Sequence, residues 1–414
     1  MDAGTGFDGM WAELAGIGRD PASGGYRRFA WTAPDLACRE WFTAQAKARG
    51  MAVERDRNGN LWAWLGDHLP GPAIVTGSHL DSVPDGGAYD GPLGIVSAFA
   101  ALDALAADGW TPPRPVAVVA FTDEEGARFG VPCIGSRLLT GTLDPARAAG
   151  LRDGDGITLA QAMRSAGADP AWLGADRTRL SRIGAFVELH VEQGRYLANT
   201  SAPVAVGSGI GPHGRWRLTF RGRADHAGTT ALGDRADPML AFAASVQQAR
   251  TAALHLRARA TVGKVTVRPN GTNAIPSEVN AWLDARGSDE ATVRAVVTEV
   301  LDAARQRGAE DGVSVDLTEE SWSPAVTFGR DLGERVATRL GGAPVIPTGA
   351  GHDAGILAAA GIPTTMLFVR NPTGVSHAPD EHAETADCHA GVAALAAVLT
   401  DLASDLAADP VPTT

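Results

Sequence analysis

A histidine and an aspartate stand two residues apart in Gly77-Ser78-His79-Leu80-Asp81-Ser82-Val83-Pro84, directly after the apolar run Ala73-Ile74-Val75-Thr76. A second aspartate, Asp90, follows in the glycine-rich loop Gly86-Gly87-Ala88-Tyr89-Asp90-Gly91-Pro92. Side chains two apart on an extended segment point the same way. Asp81 can therefore lie beside His79 and orient its ring, as carboxylates do for metal-bound imidazoles. Asp90 can act as a hard oxygen ligand or simply cap the helix that begins near Gly91. On this stretch alone both readings stand.

Further residues of the same kind recur downstream. Pro115 to Thr122 (PVAVVAFT) leads into Asp123-Glu124-Glu125-Gly126, and Ile183 to Val191 (IGAFVELHV) carries Glu188 and His190 and leads into Glu192 and Gln193. His377 stands in Asn371-Pro372-Thr373-Gly374-Val375-Ser376-His377-Ala378-Pro379. Any one of these is unremarkable, since an acid pair after a strand suits an exposed helix start and most histidines are structural. Their joint placement where apolar runs end is what points to chemistry. Two close cations need a bridging carboxylate with histidine or carboxylate on either side, and such a pair lowers the pKa of water and polarises a carbonyl. An adjacent carboxylate that is not a ligand can then move the proton. Glu124 and Glu125 fit that division between base and ligand.

The elements that must position these groups alternate between strand and helix. The runs ending at His79, Thr122 and Val191 read as buried strands, and residues 91–107 as the helix after Asp90. This order predicts an α/β domain with a mixed, largely parallel sheet flanked by helices, whose chemistry sits at the carboxyl ends of the strands. Residues 1–50 read as mainly helical, with the strongest segment from Asp35 to Arg49 opened by Pro34. Val53 to Leu65 reads as a hairpin turning at Asn58-Gly59. From about Gly214 the order becomes strand, helix, strand, strand, helix, strand, the split ferredoxin-like pattern, and from about Ala325 the first pattern returns. The expected division is a metal-binding catalytic domain over 1–212 and 326–414, with an inserted α+β domain over 213–325. The last helix is expected over Thr385 to Ala407.

The chain has 414 residues, 44% of them hydrophobic and 20% charged, enough for two domains of ordinary globular composition. Its net charge is −12 with no basic cluster, which argues against nucleic acid as a partner. Three scattered cysteines suit reduced thiols better than a disulfide framework. Residues 1–18 lack a basic stretch followed by an apolar core, and no apolar run is expected to span a bilayer. A cytoplasmic protein without a membrane partner is the expectation.

The motifs GSHLDSVPDGGAYDGPLG, FTDEEGARFG, VELHVEQG, ADHAGTT, PNGTNAIPSEV, LDAR, GAGHDAG and GVSHAPDE, in that order, resemble the hydantoinase/carbamoylase group of dinuclear zinc amidohydrolases. That group includes N-carbamoyl-L-amino-acid hydrolases and allantoate amidohydrolases. The resemblance runs from about Gly77 to the last helix and implies a zinc exopeptidase-like fold with a lid and dimerisation insert. It implies two divalent metal ions, zinc foremost, although histidine and carboxylate donors also accept manganese, cobalt or nickel. By resemblance Asp90 bridges the metals, His79 and His190 complete one site, and Glu125 and His377 complete the other. Glu124 matches the general base and Asp81 the partner of His79. Gln193, Asn273, Arg286 and the Gly351-His352 turn match substrate contacts, Arg286 gripping a carboxylate with its planar fork. His226 matches a residue that crosses a homodimer interface and holds charge developing on the carbonyl oxygen. The implied reaction is hydrolysis of the ureido C–N bond of an N-carbamoyl-L-amino acid, a small-molecule substrate. Allantoate is the rival substrate. An aminoacylase or peptidase of the wider clan and a non-catalytic binding protein are more distant alternatives.

Overall fold

Three buried strands carry the chemistry-bearing ends: Ala73–His79, Val116–Phe121 and Ile183–Val191. The first two are buried along their whole length, as expected of strands covered on both faces in a parallel sheet. The computed structural model describes residues 6–405. It divides into one unit made of the chain up to Gly209 and from Thr327 onward, and a second unit, Ile210–Val326.

The nine-stranded sheet runs Ala52–Arg55, Leu61–Leu65, Val116–Phe121, Ala73–His79, Ile183–Val191, Thr364–Val369, Val204–Ile210, the last of which also pairs with Val326–Thr327 and with Val345–Thr348. The four central strands from Val116–Phe121 to Thr364–Val369 are parallel, Leu61–Leu65 and Val204–Ile210 join them antiparallel on either side, and Ala52–Arg55 pairs antiparallel with Leu61–Leu65. This is the mixed, largely parallel α/β sheet the sequence predicts. The hairpin turns within Asp56–Asn60, where the Asp56 carboxylate accepts the backbone N–H groups of Asn58 and Asn60. The helix Pro92–Ala107 is apolar nearly all round and lies in the core against the sheet. It packs against the terminal helix Thr385–Asp405; the last two residues expected in that helix, 406–407, lie outside the described residues. Contrary to the expectation that no apolar run reaches bilayer length, the Thr385–Ser404 stretch is long and apolar enough by composition. More than half of it is buried within the protein, so its apolarity serves the core.

The second unit holds a four-stranded antiparallel sheet in the order Ser314–Ser323, His213–Arg221, Glu278–Arg286, Arg259–Arg268. In chain order this is strand 4, 1, 3, 2, the ferredoxin-like arrangement. Helices Pro238–His255 and Glu290–Glu310 pack on one face around Trp216, Leu218, Phe220, Val279 and Leu283. Alternation along Glu278–Arg286 is strict: Val279, Ala281, Leu283 and Ala285 face this core, while Trp282, Asp284 and Arg286 face away.

Candidate active site

Asp90 sits among three imidazoles. Its Oδ1 lies 3.2 Å from His190 Nε2 and 3.5 Å from His79 Nε2, and its Oδ2 lies 3.2 Å from His377 Nε2. Two triads of ligand-type atoms result, His79–Asp90–His190 and Asp90–Glu125–His377, each with its donor atoms within 4.8 Å of one another. They share Asp90, so the geometry contains the bridging carboxylate that a pair of cations needs. Glu125 Oε2 lies 3.6 Å from His377 Nε2, and Glu124 Oε2 lies 3.9 Å from His79 Nε2. Glu124 belongs to neither triad.

Local sequence explains this convergence. His79 is the last residue of its strand, His190 the penultimate residue of the next, and Glu124–Glu125 follow the strand end at Phe121. Asp90 does not cap its helix. That position falls to Gly91, whose φ of +87° and missing side chain let the His79 ring pack against it; a Cβ there would lie 2.5 Å from the imidazole. Asp81 acts differently from the expectation. His79 Nδ1 hydrogen-bonds the Asp81 backbone carbonyl at 3.1 Å, whereas the nearest carboxylate oxygen is 3.6 Å away. That carboxylate accepts the backbone N–H groups of Glu124 and Glu125, 3.1 Å each.

The donor set fits divalent cations. Glu125 Oε1 is buried without a hydrogen-bond partner, and the buried His79 Nε2 and His190 Nε2, 3.5 and 3.2 Å from Asp90 Oδ1, make no well-aligned hydrogen bond to it, an expensive state for polar atoms unless a cation binds them. Burial alone would push Asp90 up, but His190, His377 and His79 hold it well below the usual carboxylate range. Burial pushes Glu124 well above that range, with His79 opposing. Burial, with Asp90 adding to it, pushes Glu125 to about 7. Crowded buried acids of this kind are relieved by positive charge between them.

Other predicted residues are placed as follows. Gln193 Nε2 donates to Asp90 Oδ2 at 2.9 Å and to Ser376 Oγ at 3.2 Å, which puts it at the second triad. His352 is buried with its ring 4.5 Å from that of His190, and with Glu188 and His190 it forms a third ligand-type group. Gly351 precedes it at the start of helix Asp353–Ala359. In the second unit, His226 and Asn273 come together on a two-stranded ribbon: His226 pairs with Ala274, and the Asn273 carbonyl accepts the Ala227 N–H at 3.0 Å. Both are exposed, and His226 Nδ1 accepts the Gly228 N–H. Arg286 is at the other end of the sheet, paired in register with His213. The ribbon adjoins Glu278, so about 26 Å of strand, at ~3.3 Å per residue, separates them. Arg286 also engages Asp284 through two hydrogen bonds of 2.7 and 3.1 Å.

Four hydrogen bonds around the site are not predicted by the sequence. Cys133 Sγ donates to Glu124 Oε1 at 3.4 Å. Glu188 accepts from the Ser78 hydroxyl and the Ala354 N–H. Glu381 reaches the Asp90 loop from a residue 291 positions later.

The model of peptidase family M20/M25/M40 matches residues 75–401. An N-carbamoyl-L-amino acid amidohydrolase of Geobacillus stearothermophilus is 37% identical, over 92% of this chain and 94% of that protein. An allantoate amidohydrolase of Escherichia coli is 33% identical, over 94% and 96%. The crystal structure of a hydantoinase/carbamoylase family amidase from Burkholderia vietnamiensis superposes with a TM-score of 0.89 at 30% identity, covering 98% of this chain and 97% of that one. The chain belongs to the M20/M25/M40 family and, within it, to the hydantoinase/carbamoylase group. It is an amidohydrolase, acting on amide C–N bonds.

Proposed function

We propose that the chain hydrolyses the ureido C–N bond of an N-carbamoyl-L-amino acid, giving the amino acid, CO2 and ammonia. The observation that carries this reading is Asp90 shared between two ligand triads, with Glu124 beside them and outside both. His79, Asp90 and His190 would hold one divalent cation, and Asp90, Glu125 and His377 a second, zinc being the ion that suits this donor set first. Such a pair, when bound, activates water and polarises the scissile carbonyl. Glu124 takes the proton from the attacking water on its carboxylate and returns it to the leaving nitrogen. Asp81 fixes the backbone on which Glu124 and Glu125 stand. Gln193 and His352 line the same centre, and Arg286 grips the substrate carboxylate.

His226 and Asn273 complete the site from the partner copy of a homodimer. Support comes from the second unit itself. A small ureido acid cannot touch both ends of one sheet, so Arg286 and the His226–Asn273 ribbon serve the same substrate only if they come from different copies. The carbamoyl substrate is preferred because DEEGARFG and FVR-x-x-x-GVSHAP resemble carbamoylases. Allantoate is the second reading, favoured by the 33% identical relative. Metal analysis with ammonia release from a panel of ureido compounds decides between them. Turnover of N-carbamoyl-L-amino acids with little on allantoate is expected. Preference for allantoate would reverse the assignment, and a fully metal-loaded protein with no turnover would favour a binding role.

A further inference from the structure

The fold holds the proposed ligands in two different ways. His79 and His190 ride on central strands of the sheet. Asp90 and His377 lie in loops, and His377 adopts a φ of +56°, a region that a non-glycine residue enters at some cost. Ligands on loops need support from outside the loop if their spacing is to be kept to a fraction of an ångström.

Glu381 provides that support. It is 4% exposed. Its Oε1 accepts the backbone N–H groups of Tyr89 and Asp90, each at 2.9 Å. Its Oε2 accepts the hydroxyl of Ser376, the neighbour of His377, at 2.9 Å. Ser376 Oγ accepts in turn from Gln193, whose amide also donates to Asp90 Oδ2. Gly87 makes room for the carboxylate, since a Cβ there would lie 2.4 Å from Glu381 Cβ and Oε1. One side chain thus ties the loop of Asp90 to the loop of His377.

We infer that Glu381 is a positioning residue for the second metal: it sets the spacing between Asp90 and His377, on which the Asp90–Glu125–His377 triad depends. The His79–Asp90–His190 triad depends on it less, because two of its three members are fixed by the sheet. Glu381 itself contacts backbone and Ser376 rather than the donor atoms. This inference rests on the two-metal reading above.

The test is zinc titration of metal-depleted protein against a chromophoric chelator, with wild type, Glu381→Ala, Glu381→Gln and Glu125→Gln compared. Wild type is expected to show two binding steps, and Glu125→Gln identifies the step that belongs to the second triad. Glu381→Ala should weaken that same step by about 10–100-fold, the usual effect of losing an outer partner of a metal ligand, and leave the other step within about threefold. Glu381→Gln should fall between, because it keeps an acceptor for the two N–H groups but turns an amide toward Ser376. If Glu381→Ala shows no cooperative unfolding, Glu381→Gln and Ser376→Ala carry the comparison. Equal weakening of both steps, or of neither, overturns the positioning role while two steps in wild type leave the dinuclear reading standing. A single step in wild type overturns both.

Discussion

The carboxylate of Asp81 accepts the backbone N–H groups of both Glu124 and Glu125, so one side chain holds the turn that carries the proposed base and a proposed ligand. Asp81→Asn keeps one acceptor oxygen and sets an N–H2 group against the other N–H, leaving a buried donor unsatisfied. Turnover should fall, and zinc should be lost from the Glu125 half before the His79 half. Metal counting on the variant, combined with Glu125→Gln, reads this directly. Selective loss at the His79 half would instead mean that Asp81 acts on the imidazole.

Glu124 and Glu125 are adjacent and both buried, yet only Glu125 falls in a ligand triad. Glu124→Gln should keep both metals and lose turnover by ~10²–10⁴-fold, the range for a positioned proton carrier. Glu125→Gln should lower metal content first. Near-normal turnover with Glu124→Gln would exclude it as the base.

How far the sequence reaches is clear from these groups. His79, Asp90, Glu125, His190 and His377 stand out in the sequence because they lie at or beyond the ends of apolar runs, where an α/β sheet gathers its chemistry, but their assignment as ligands comes from the resemblance. The central strands ending near His79, Thr122 and Val191 were readable because their apolar runs are nearly continuous. The strand Val204–Ile210 (VAVGSGI) was not, because its glycines and serine mask it as a loop. Neither were the short helices Ile134–Thr140, Pro145–Gly150 and Leu159–Ser165, whose lengths give too few turns for a period to show. The roles of the partners Cys133, Ser376 and Glu381 are not readable for another reason, although Ser376 and Glu381 stand within GVSHAPDE. Their roles are hydrogen bonds to residues that only the folded chain brings near, and no local pattern encodes a contact spanning 291 positions.

Asp284 holds the Arg286 guanidinium through two hydrogen bonds, and Arg286 is the group proposed to bind the substrate carboxylate. Arg286→Lys keeps the charge but loses the fork, so KM should rise substantially for the ureido acid. An analogue lacking the carboxylate should be insensitive to the change, and equal losses on both compounds would remove Arg286 from the carboxylate's binding site. The pair also has a pH signature. Burial alone would raise Asp284, but Arg286 outweighs it and holds the carboxylate below its ordinary value. A depressed folded pKa contributes stability above the unfolded value, ~3.9, and that contribution is lost as pH falls through the lower folded value. The stability difference between wild type and Asp284→Asn should therefore be constant near neutrality and shrink only below about pH 4, as followed by Tm.

His226 gives the sharpest test of the shared site. It is exposed on its ribbon, and its Nδ1 is already committed to the Gly228 N–H, which leaves Nε2 as the donor it can offer outward. A donor placed where charge develops on a carbonyl oxygen is typically worth ~10²–10³ in kcat, so His226→Ala should be nearly inactive, as should Glu124→Gln. The two dead variants can then be mixed, dissociated and re-associated. About half of the resulting dimers are mixed if association is random. In each of these, one site takes an intact Glu124 from one chain and an intact His226 from the other, while the second site carries both defects. Roughly a quarter of wild-type activity should return if each site is built from two copies. If His226 served its own chain, every site in a mixed dimer would hold one defect and nothing would return. The fraction of mixed dimers is fixed independently with a charge tag on one variant, so mixed dimers that form and stay dead would show that His226 does not cross to the partner.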